Sequence, residues 1–486
     1  MELLLCLLFF LSLVAGRPSH TTWRLFSARD ELQRLTSLVG DAQNSVPDDD
    51  RHLSTASGEC LGLFRLAEDA LRWSVSDGDP KTTPSTGDHL SDLHSWLTAA
   101  AGYLIDCKDG LNLAGVHGGG IARRLHRTSS LVTSALREVA SLSAARGRRL
   151  VQGFPDWVPA DHLRLIMGDD LIIKADVVVA QDNTGNYTTL GDALAAAPEH
   201  ADRYVIYVKK GVYKEYVEVR KPNLTIMGEG MNETIFSGDR NNATGNGTGS
   251  SATFTVSGPR FITINLAIEN TAGPKAGPAV ALRSDSDLSV YYRCQISGYQ
   301  DTLFASSNRQ FYRECRIFGT VDYIFGNAAA VFQRCDILSR LPPHGNADTI
   351  TAQSRELKDQ NSGYSFQFCN VTSAGEDLPA AEVDVFLGRP WRNYSRVVFM
   401  QSYLDSSIPP AGWLDWDGRG STADYGEFQN YGPGSSLAGR VNWTGYHILN
   451  KPAEAAPFTA HELINGDSWL PSTGVPYTLD LNVTNS

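Results

Sequence analysis

A mainly β architecture, a right-handed parallel β-helix preceded by an α-helical four-helix bundle, is the fold this sequence predicts. Three observations point to it. First, two segments with nearly the same local setting lie 21 residues apart: Gly298-Tyr299-Gln300-Asp301-Thr302-Leu303-Phe304 and Gly319-Thr320-Val321-Asp322-Tyr323-Ile324-Phe325. Each follows an aromatic-rich strand that carries a cysteine, Cys294 or Cys315. A period near twenty is the rung length of a solenoid, so residues one period apart stack on one face. Second, after residue 175 short β-rich runs follow one another every ten to twenty residues with no helical period between them, which indicates a sandwich, barrel or solenoid. Third, between Cys60 and about Arg149 the apolar residues recur at steps of three and four, the period of a helix. A β-sandwich is the alternative for the strand-rich part, and the twenty-residue repeat favours the solenoid.

The elements follow in order. Leu3 to Val14 is an apolar run ending at Ala15-Gly16. It is too short to span a bilayer and reads as a secretory signal peptide over 1–16, although Glu2 leaves it without a basic start. A helical domain is expected over 17–150. Its first helix covers about Leu25 to Leu38, and three further stripes follow: Cys60, Phe64, Ala67 and Leu71; Leu93, Leu97, Ala100, Leu104 and Cys107; Leu125, Val132, Leu136 and Val139. Ser/Gly/Pro/Asp-rich breaks separate them. The basic run Ala145 to Leu150 contains Arg148 and Arg149, which reads either as an exposed protease site or as a solvated helix end. A linker over 151–174 then leads to a β domain over 175–475. Its strands include Tyr204 to Val208, Leu224 to Met227, Phe261 to Ile268, the three cysteine-bearing strands, Tyr364 to Val371 and Arg396 to Met400.

At 486 residues the chain is too long for one ordinary core. A formal net charge of -12 argues against a nucleic-acid binder that works by neutralising phosphates. No later segment is long and apolar enough for a membrane span. Nine Asn-x-Ser/Thr sequons, all from Asn186 onward, fit secretion. Cys6 leaves with the signal peptide, and six cysteines remain, an even number that fits disulfides in an oxidising compartment. The expected pairs are Cys60–Cys107, Cys294–Cys315 and Cys335–Cys369. Buried free thiols are the alternative for the last four. The 11 histidines are scattered without a His-x-x-x-His pair, and no Gly-x-Ser-x-Gly elbow occurs, so chemistry without a metal, a cofactor or a serine nucleophile is expected.

Solenoid stacking places the carboxyls of Asp301 and Asp322 on adjacent coils. Taken singly, an aspartate in a Gly-x-x-Asp turn is more often a turn former. Two at coil spacing suit acid–base and nucleophilic work. The motifs around them extend this reading. Gly211-Val212-Tyr213-Lys214-Glu215, Tyr299-Gln300-Asp301-Thr302-Leu303, the run from Gly319 to Ala328, Ile350-Thr351-Ala352-Gln353 and Leu387-Gly388-Arg389-Pro390-Trp391 occur in that order. Together they resemble a plant-type pectin methylesterase over about Ala175 to Pro471. The N-terminal part, with Cys60, Trp96 and Cys107, resembles the pectinesterase-inhibitor pro-region fused to many of these enzymes, without that region's further cysteine pair. Arg148-Arg149-Leu150 resembles the processing motif between the two parts.

The resemblance implies a right-handed parallel β-helix and hydrolysis of the C6 methyl ester of galacturonate in pectin, with no cofactor. It implies Asp322 as nucleophile, Asp301 as proton donor and then acceptor, Gln300 as oxyanion donor and Arg389 as the partner that orients Asp322. Trp391, Thr248, Phe304, Phe325 and Trp413 are implied as substrate contacts. The implied partners are pectin, a processing protease and the intramolecular pro-domain, with the chain a secreted monomer of the cell wall. Two departures stand out. The family usually has Gln-Ala-Val-Ala-Leu, whose Gln is a second active-site donor, whereas this chain has Pro278-Ala279-Val280-Ala281-Leu282. Proline has neither a side-chain amide nor a backbone N–H, so activity is expected to be reduced but not abolished. Ser354 stands where glycine is usual after Gln353. The competing readings are a β-helix glycoside hydrolase, since paired aspartates also cleave glycosidic bonds, and an inactive pectin-binding homologue.

Overall fold

The computed structural model describes residues 20–45, 51–75, 81–146, 175–244, 247–343, 347–374 and 383–481. The expected signal peptide, the Arg148-Arg149 motif and the 151–174 linker lie outside the described residues. The chain divides into two compact units, Met1–Asp79 with His89–Leu150, and Pro80–Asp88 with Val151–Ser486. The division is therefore not one cut of the chain, because a short piece between two helices belongs to the second unit.

The first unit holds four helices, α1 (His20–Asn44), α2 (Arg51–Ser74), α3 (His89–Leu113) and α4 (Gly119–Arg146). Their apolar stripes are buried: Leu32, Leu35 and Val39 on α1, Phe64 and Leu71 on α2, Trp96, Leu97 and Leu104 on α3, and Val132, Leu136 and Val139 on α4. Cys60 and Cys107 form a disulfide between α2 and α3. Glu31 is the one acidic side chain buried on α1, and Arg124 holds it at 2.9 Å. No helix among the described residues is long and apolar enough to cross a membrane.

The second unit is a parallel β-helix. Its strands form sheets of eleven, seven and eight strands, and every pairing between them is parallel. Each coil gives one strand to each sheet in turn. Leu303–Ala305 lies in the seven-stranded sheet, Arg309–Arg313 in the eleven-stranded sheet and Arg316–Gly319 in the eight-stranded sheet, and the next coil repeats this with Val321–Gly326, Ala329–Gln333 and Asp336–Ser339. The corner from the eleven- to the eight-stranded sheet is a single left-handed residue on coil after coil: Arg293, Glu314, Arg334, Phe368 and Gln401 all have φ between 51° and 57°. One such residue turns the chain sharply, at a steric cost of about 1–2 kcal/mol for a non-glycine, and the sheet hydrogen bonds on both sides hold it.

Inside the coils, side chains at equivalent positions stack. Tyr291, Tyr312, Phe332, Phe366 and Phe399 form a ladder with ring centroids 4.3–4.6 Å apart between neighbours. Cys294, Cys315, Cys335 and Cys369 form a second column, each next to a left-handed corner residue. All four are buried free thiols, which corrects the expected Cys294–Cys315 and Cys335–Cys369 disulfides. The reason is geometric. In-register parallel strands sit about 4.8 Å apart with their Cβ bonds side by side, whereas a disulfide needs Cβ atoms about 3.8 Å apart and turned toward each other. The thiols instead face backbone carbonyls, Cys315 at Tyr291 O and Cys369 at Phe332 O.

One buried acid has no such partner. Asp348 opens strand Asp348–Gln353 and is fully buried, with neither carboxyl oxygen hydrogen-bonded among the described residues. Burial pushes its pKa up to about 8. The folded state therefore holds a proton that the unfolded chain releases near pH 4, so this residue costs stability as pH rises from about 4 to about 8. Asp348→Asn is expected to melt higher than the parent at pH 8 by several degrees, with the gain shrinking to nothing or reversing near pH 4. A gain of equal size at both pH values would overturn this assignment.

Candidate active site

Strand Leu303–Ala305 pairs with Val321–Gly326 in the register Leu303↔Ile324 and Phe304↔Phe325. The same 21-residue offset sets Asp301 level with Asp322, one coil apart on the seven-stranded sheet. Both aspartates have left-handed backbones, with φ of 60° and 53°. The pairing of Val321–Gly326 with Asp348–Gln353 shifts register between Val321 and Ile324. Such a bulge re-aims side chains, and here Asp322 falls within it.

Asp322 is 6 % exposed and held from two sides. Arg389, just after strand Val385–Gly388, donates Nε to Oδ1 at 2.8 Å and Nη2 to Oδ2 at 2.6 Å, a bidentate pair. Arg389 itself is fixed by its backbone N–H to Thr351 O at 2.9 Å and by stacking of its guanidinium 4.1 Å from the Trp416 ring centre. The Thr349 hydroxyl donates to Asp322 Oδ1 at 2.6 Å and accepts from the Asp322 backbone N–H at 3.0 Å. Asp301 is half-buried and its backbone N–H donates to Val321 O at 3.1 Å. Burial, and then the charge of Asp322, raise its carboxyl well above the ordinary range, with Arg389 opposing. The site thus pairs a carboxylate gripped by a guanidinium with a carboxyl whose pKa is raised. That is the division of labour an acid and a nucleophile need. Gln300 precedes Asp301, and its backbone carbonyl accepts from Ala279 N at 3.2 Å.

Aromatic rings cluster on the same sheet. Phe304 and Phe325 are stacked with centroids 4.4 Å apart, Trp391 lies 6.1 Å from Phe325, and Arg283 sits over Phe304 at 5.3 Å. Phe304, Trp391 and Trp416 are partly exposed and pack on the buried Ala252, Val280, Phe325 and Ala352. Thr248 begins the turn Gly249–Ser251, which lies against this platform. A Cβ at Gly249 would meet the Arg283 guanidinium at 2.8 Å and Phe304 at 3.5 Å.

Trp413 does not belong to this surface, contrary to the sequence expectation. It is 1 % exposed, packs tilted against Tyr425 with centroids 4.5 Å apart and donates Nε1 to Glu427 at 3.3 Å inside the coil. Trp416, three residues on, takes the outward position over Arg389. The other omission is Thr349. It lies one coil beyond Asp322 but 27 residues along the chain, because its coil is longer, and a fixed period of about twenty passes it by.

Residues 176–467 match the family Pectinesterase, and residues 21–145 match the family Plant invertase/pectin methylesterase inhibitor. A pectinesterase/pectinesterase inhibitor of Prunus persica, PPE8B, is 44% identical over 93% of this chain and 88% of its own length. A probable pectinesterase/pectinesterase inhibitor of Arabidopsis thaliana, number 32, is 42% identical over 88% of this chain and 85% of its own. Among solved structures, the pectin methylesterase from carrot is 45% identical and superposes with a TM-score of 0.63 over 64% of this chain and 99% of that one. A pectin methylesterase in complex with a hexasaccharide is 26% identical, with a TM-score of 0.52 over 60% of this chain and 97% of that one. With a parallel β-helix, an aspartate pair of which one is clamped by arginine and a helical N-terminal domain in place, the chain belongs to the pectinesterase family: it is a carboxylic-ester hydrolase of pectin that carries a pectin methylesterase inhibitor domain.

Proposed function

We propose that Asp322 attacks the C6 methyl ester of galacturonate as a nucleophile and that Asp301 moves the protons. The observation that carries this reading is the bidentate Arg389 clamp on Asp322 beside a carboxyl whose pKa is raised. In the first half-reaction an Asp322 oxygen bonds to the ester carbon. The carbonyl oxygen becomes an oxyanion, to which the Gln300 amide donates. The bond to the methoxy oxygen then breaks, and Asp301 gives its proton so that methanol leaves. This produces an acyl-enzyme anhydride. In the second half, Asp301 takes a proton from water as the water oxygen attacks the acyl carbon. Asp322 departs as carboxylate, and the product carboxylic acid loses its own proton to solvent. Phe304, Trp391 and Trp416 offer stacking faces for the sugar rings, with Thr248 at their margin; Phe325, expected from the sequence as a contact, is buried beneath them and supports the platform instead.

The test is product analysis on methylated homogalacturonan. Methanol release without chain shortening supports this reading, and new reducing ends without methanol would replace it with glycosidic cleavage. Removing the amide, Gln300→Ala, is expected to lower kcat by about 10²–10³-fold with little change in KM. Pro278 lies one coil before Tyr299, and it supplies no donor where the resemblance leads one to expect glutamine. Activity is therefore reduced, and Pro278→Gln is expected to raise kcat by about 10- to 100-fold. An unchanged kcat in that variant would mean that the proline costs nothing.

The protein is secreted to the cell wall through its 1–16 signal peptide and is cut near Arg148-Arg149. Until then the helical domain restrains or assists the esterase. Support comes from the basic motif in a chain that also carries sequons and a Cys60–Cys107 disulfide. Equal methanol release by cut and uncut protein would refute restraint.

A further inference from the structure

Lys81–Asp88 connects α2 to α3 along the chain, yet it belongs to the β-helical unit. Its backbone carbonyls are met by buried side chains on several coils of that unit. Asn223 Nδ2 donates to Lys81 O at 2.9 Å. Arg260 donates Nη2 to Thr83 O at 2.6 Å and Nη1 to Lys81 O at 3.4 Å. Arg309 Nη2 reaches Pro84 O at 3.4 Å, and Asn465 Nδ2 reaches the Thr86 hydroxyl at 3.3 Å. The hosts are 1 %, 3 %, 0 % and 4 % exposed, and Pro84 and Thr86 are themselves buried. At the rim, Lys81 Nζ pairs with Asp202 at 3.0 Å.

The host residues Asn223, Arg260 and Arg309 all stand where the chain enters the eleven-stranded sheet, before or at the start of Leu224–Met227, Ile262–Ile264 and Arg309–Arg313. They line one edge of the solenoid, Asn223 and Arg260 on adjacent coils and Arg309 two coils further on, past Ser289–Tyr292. The segment meets them in chain order, Lys81 O at Asn223, Thr83 O at Arg260 and Pro84 O at Arg309. The match is chemical as well. Arg260 stands beside the buried Arg203, which donates Nη1 to Arg260 O at 2.7 Å. Two neighbouring guanidinium groups repel each other, and carbonyl dipoles from Lys81 and Thr83 offset that repulsion. Asn223 also heads an Asn-Leu-Thr sequon, but its amide is spent on Lys81 O and Ala201 O. A glycan there would exclude the segment.

We propose that Lys81–Asp88 is a built-in peptide ligand of the β-helix, and that it keeps the two fragments of the chain together after the chain is cut between α4 and the first β-strand. The Cys60–Cys107 disulfide closes the loop that presents this segment, so the ligand stays joined to the helical fragment through both α2 and α3. Cutting the linker then does not by itself release the helical fragment, and its departure is a second, separately controlled step. This inference does not depend on the native processing site or on the reaction catalysed.

The test uses the full chain with a protease recognition sequence placed between Val151 and Lys174. After cutting, both fragments are expected to co-elute on size exclusion at micromolar concentration. Replacing residues 81–87 by a Gly/Ser loop of equal length is expected to weaken their association by about 100-fold, the loss of several charge-assisted hydrogen bonds. Arg260→Ala, which leaves the segment intact, is expected to weaken it by about tenfold. Circular dichroism and reduced-versus-oxidised mobility establish that each variant is folded and disulfide-bonded. Wild-type fragments that separate on cutting would overturn the proposal, as would a Gly/Ser variant whose fragments stay together as tightly as the parent's.

Discussion

Asp322→Ala is expected to lower methanol release from methylated pectin by about 10⁴-fold or more. In the proposed mechanism the substitution removes the atom that bonds to the ester carbon. Thr349, at 2.6 Å, has a hydroxyl, but the carboxylate it donates to is the one removed. Substrate binding should survive, because the aromatic platform of Phe304, Phe325 and Trp391 does not rest on the carboxylate. KM, or pectin affinity in a pull-down, is the control for this. Asp322→Asn is the more conservative probe. It keeps the volume but loses the charge that Arg389 grips through two hydrogen bonds, and it should be inactive to the same degree. Residual activity above about a tenth of the parent in either variant would remove Asp322 from the role of nucleophile.

Asp301→Asn is expected to cost about 10²–10⁴-fold in kcat, the range for a lost general acid. Its second signature is in pH dependence. The Asp301 carboxyl is raised well above its ordinary range by burial and by the charge of Asp322, against the opposing Arg389. The reactive free enzyme is the one with that proton in place, so kcat/KM of the parent should fall on the alkaline side as Asp301 ionises. The residual activity of Asp301→Asn should lack this limb, because the amide does not titrate. The sign for stability is opposite. A raised folded pKa means that the native state binds a proton the unfolded chain has lost, so Asp301 costs stability as pH climbs above the ordinary carboxylate range. Asp301→Asn should therefore be less active and more heat-stable near neutral pH, the trade expected of a catalytic residue held in an unfavourable setting. A variant with an unaltered alkaline limb would assign that limb to another group.

Much of this site was legible along the chain because a solenoid converts sequence distance into spatial order. Asp301 and Asp322 differ by one coil length, and the strand register preserves that offset. Thr349 obeys the same rule in space but not in sequence, since the coil between it and Asp322 is longer. Trp413 and Trp416 have nearly the same local context, and three residues decide which ring enters the core and which covers Arg389. The cysteine column misled for a related reason. Equal spacing correctly predicted stacking, but parallel stacking is the arrangement in which thiols face carbonyls rather than each other.

By itself, then, the order of residues determined the period, the two kinds of architecture and the spacing of the paired acids, because each is set by contacts between neighbours or between adjacent coils. Only the tertiary structure decided which tryptophan reaches the surface, that Thr349 joins the expected Arg389 on one carboxylate, and that Lys81–Asp88 packs into the β-helical unit. These depend on coil length, on which side of a strand faces inward, and on contacts between residues more than a hundred positions apart, and local propensity carries no information about them.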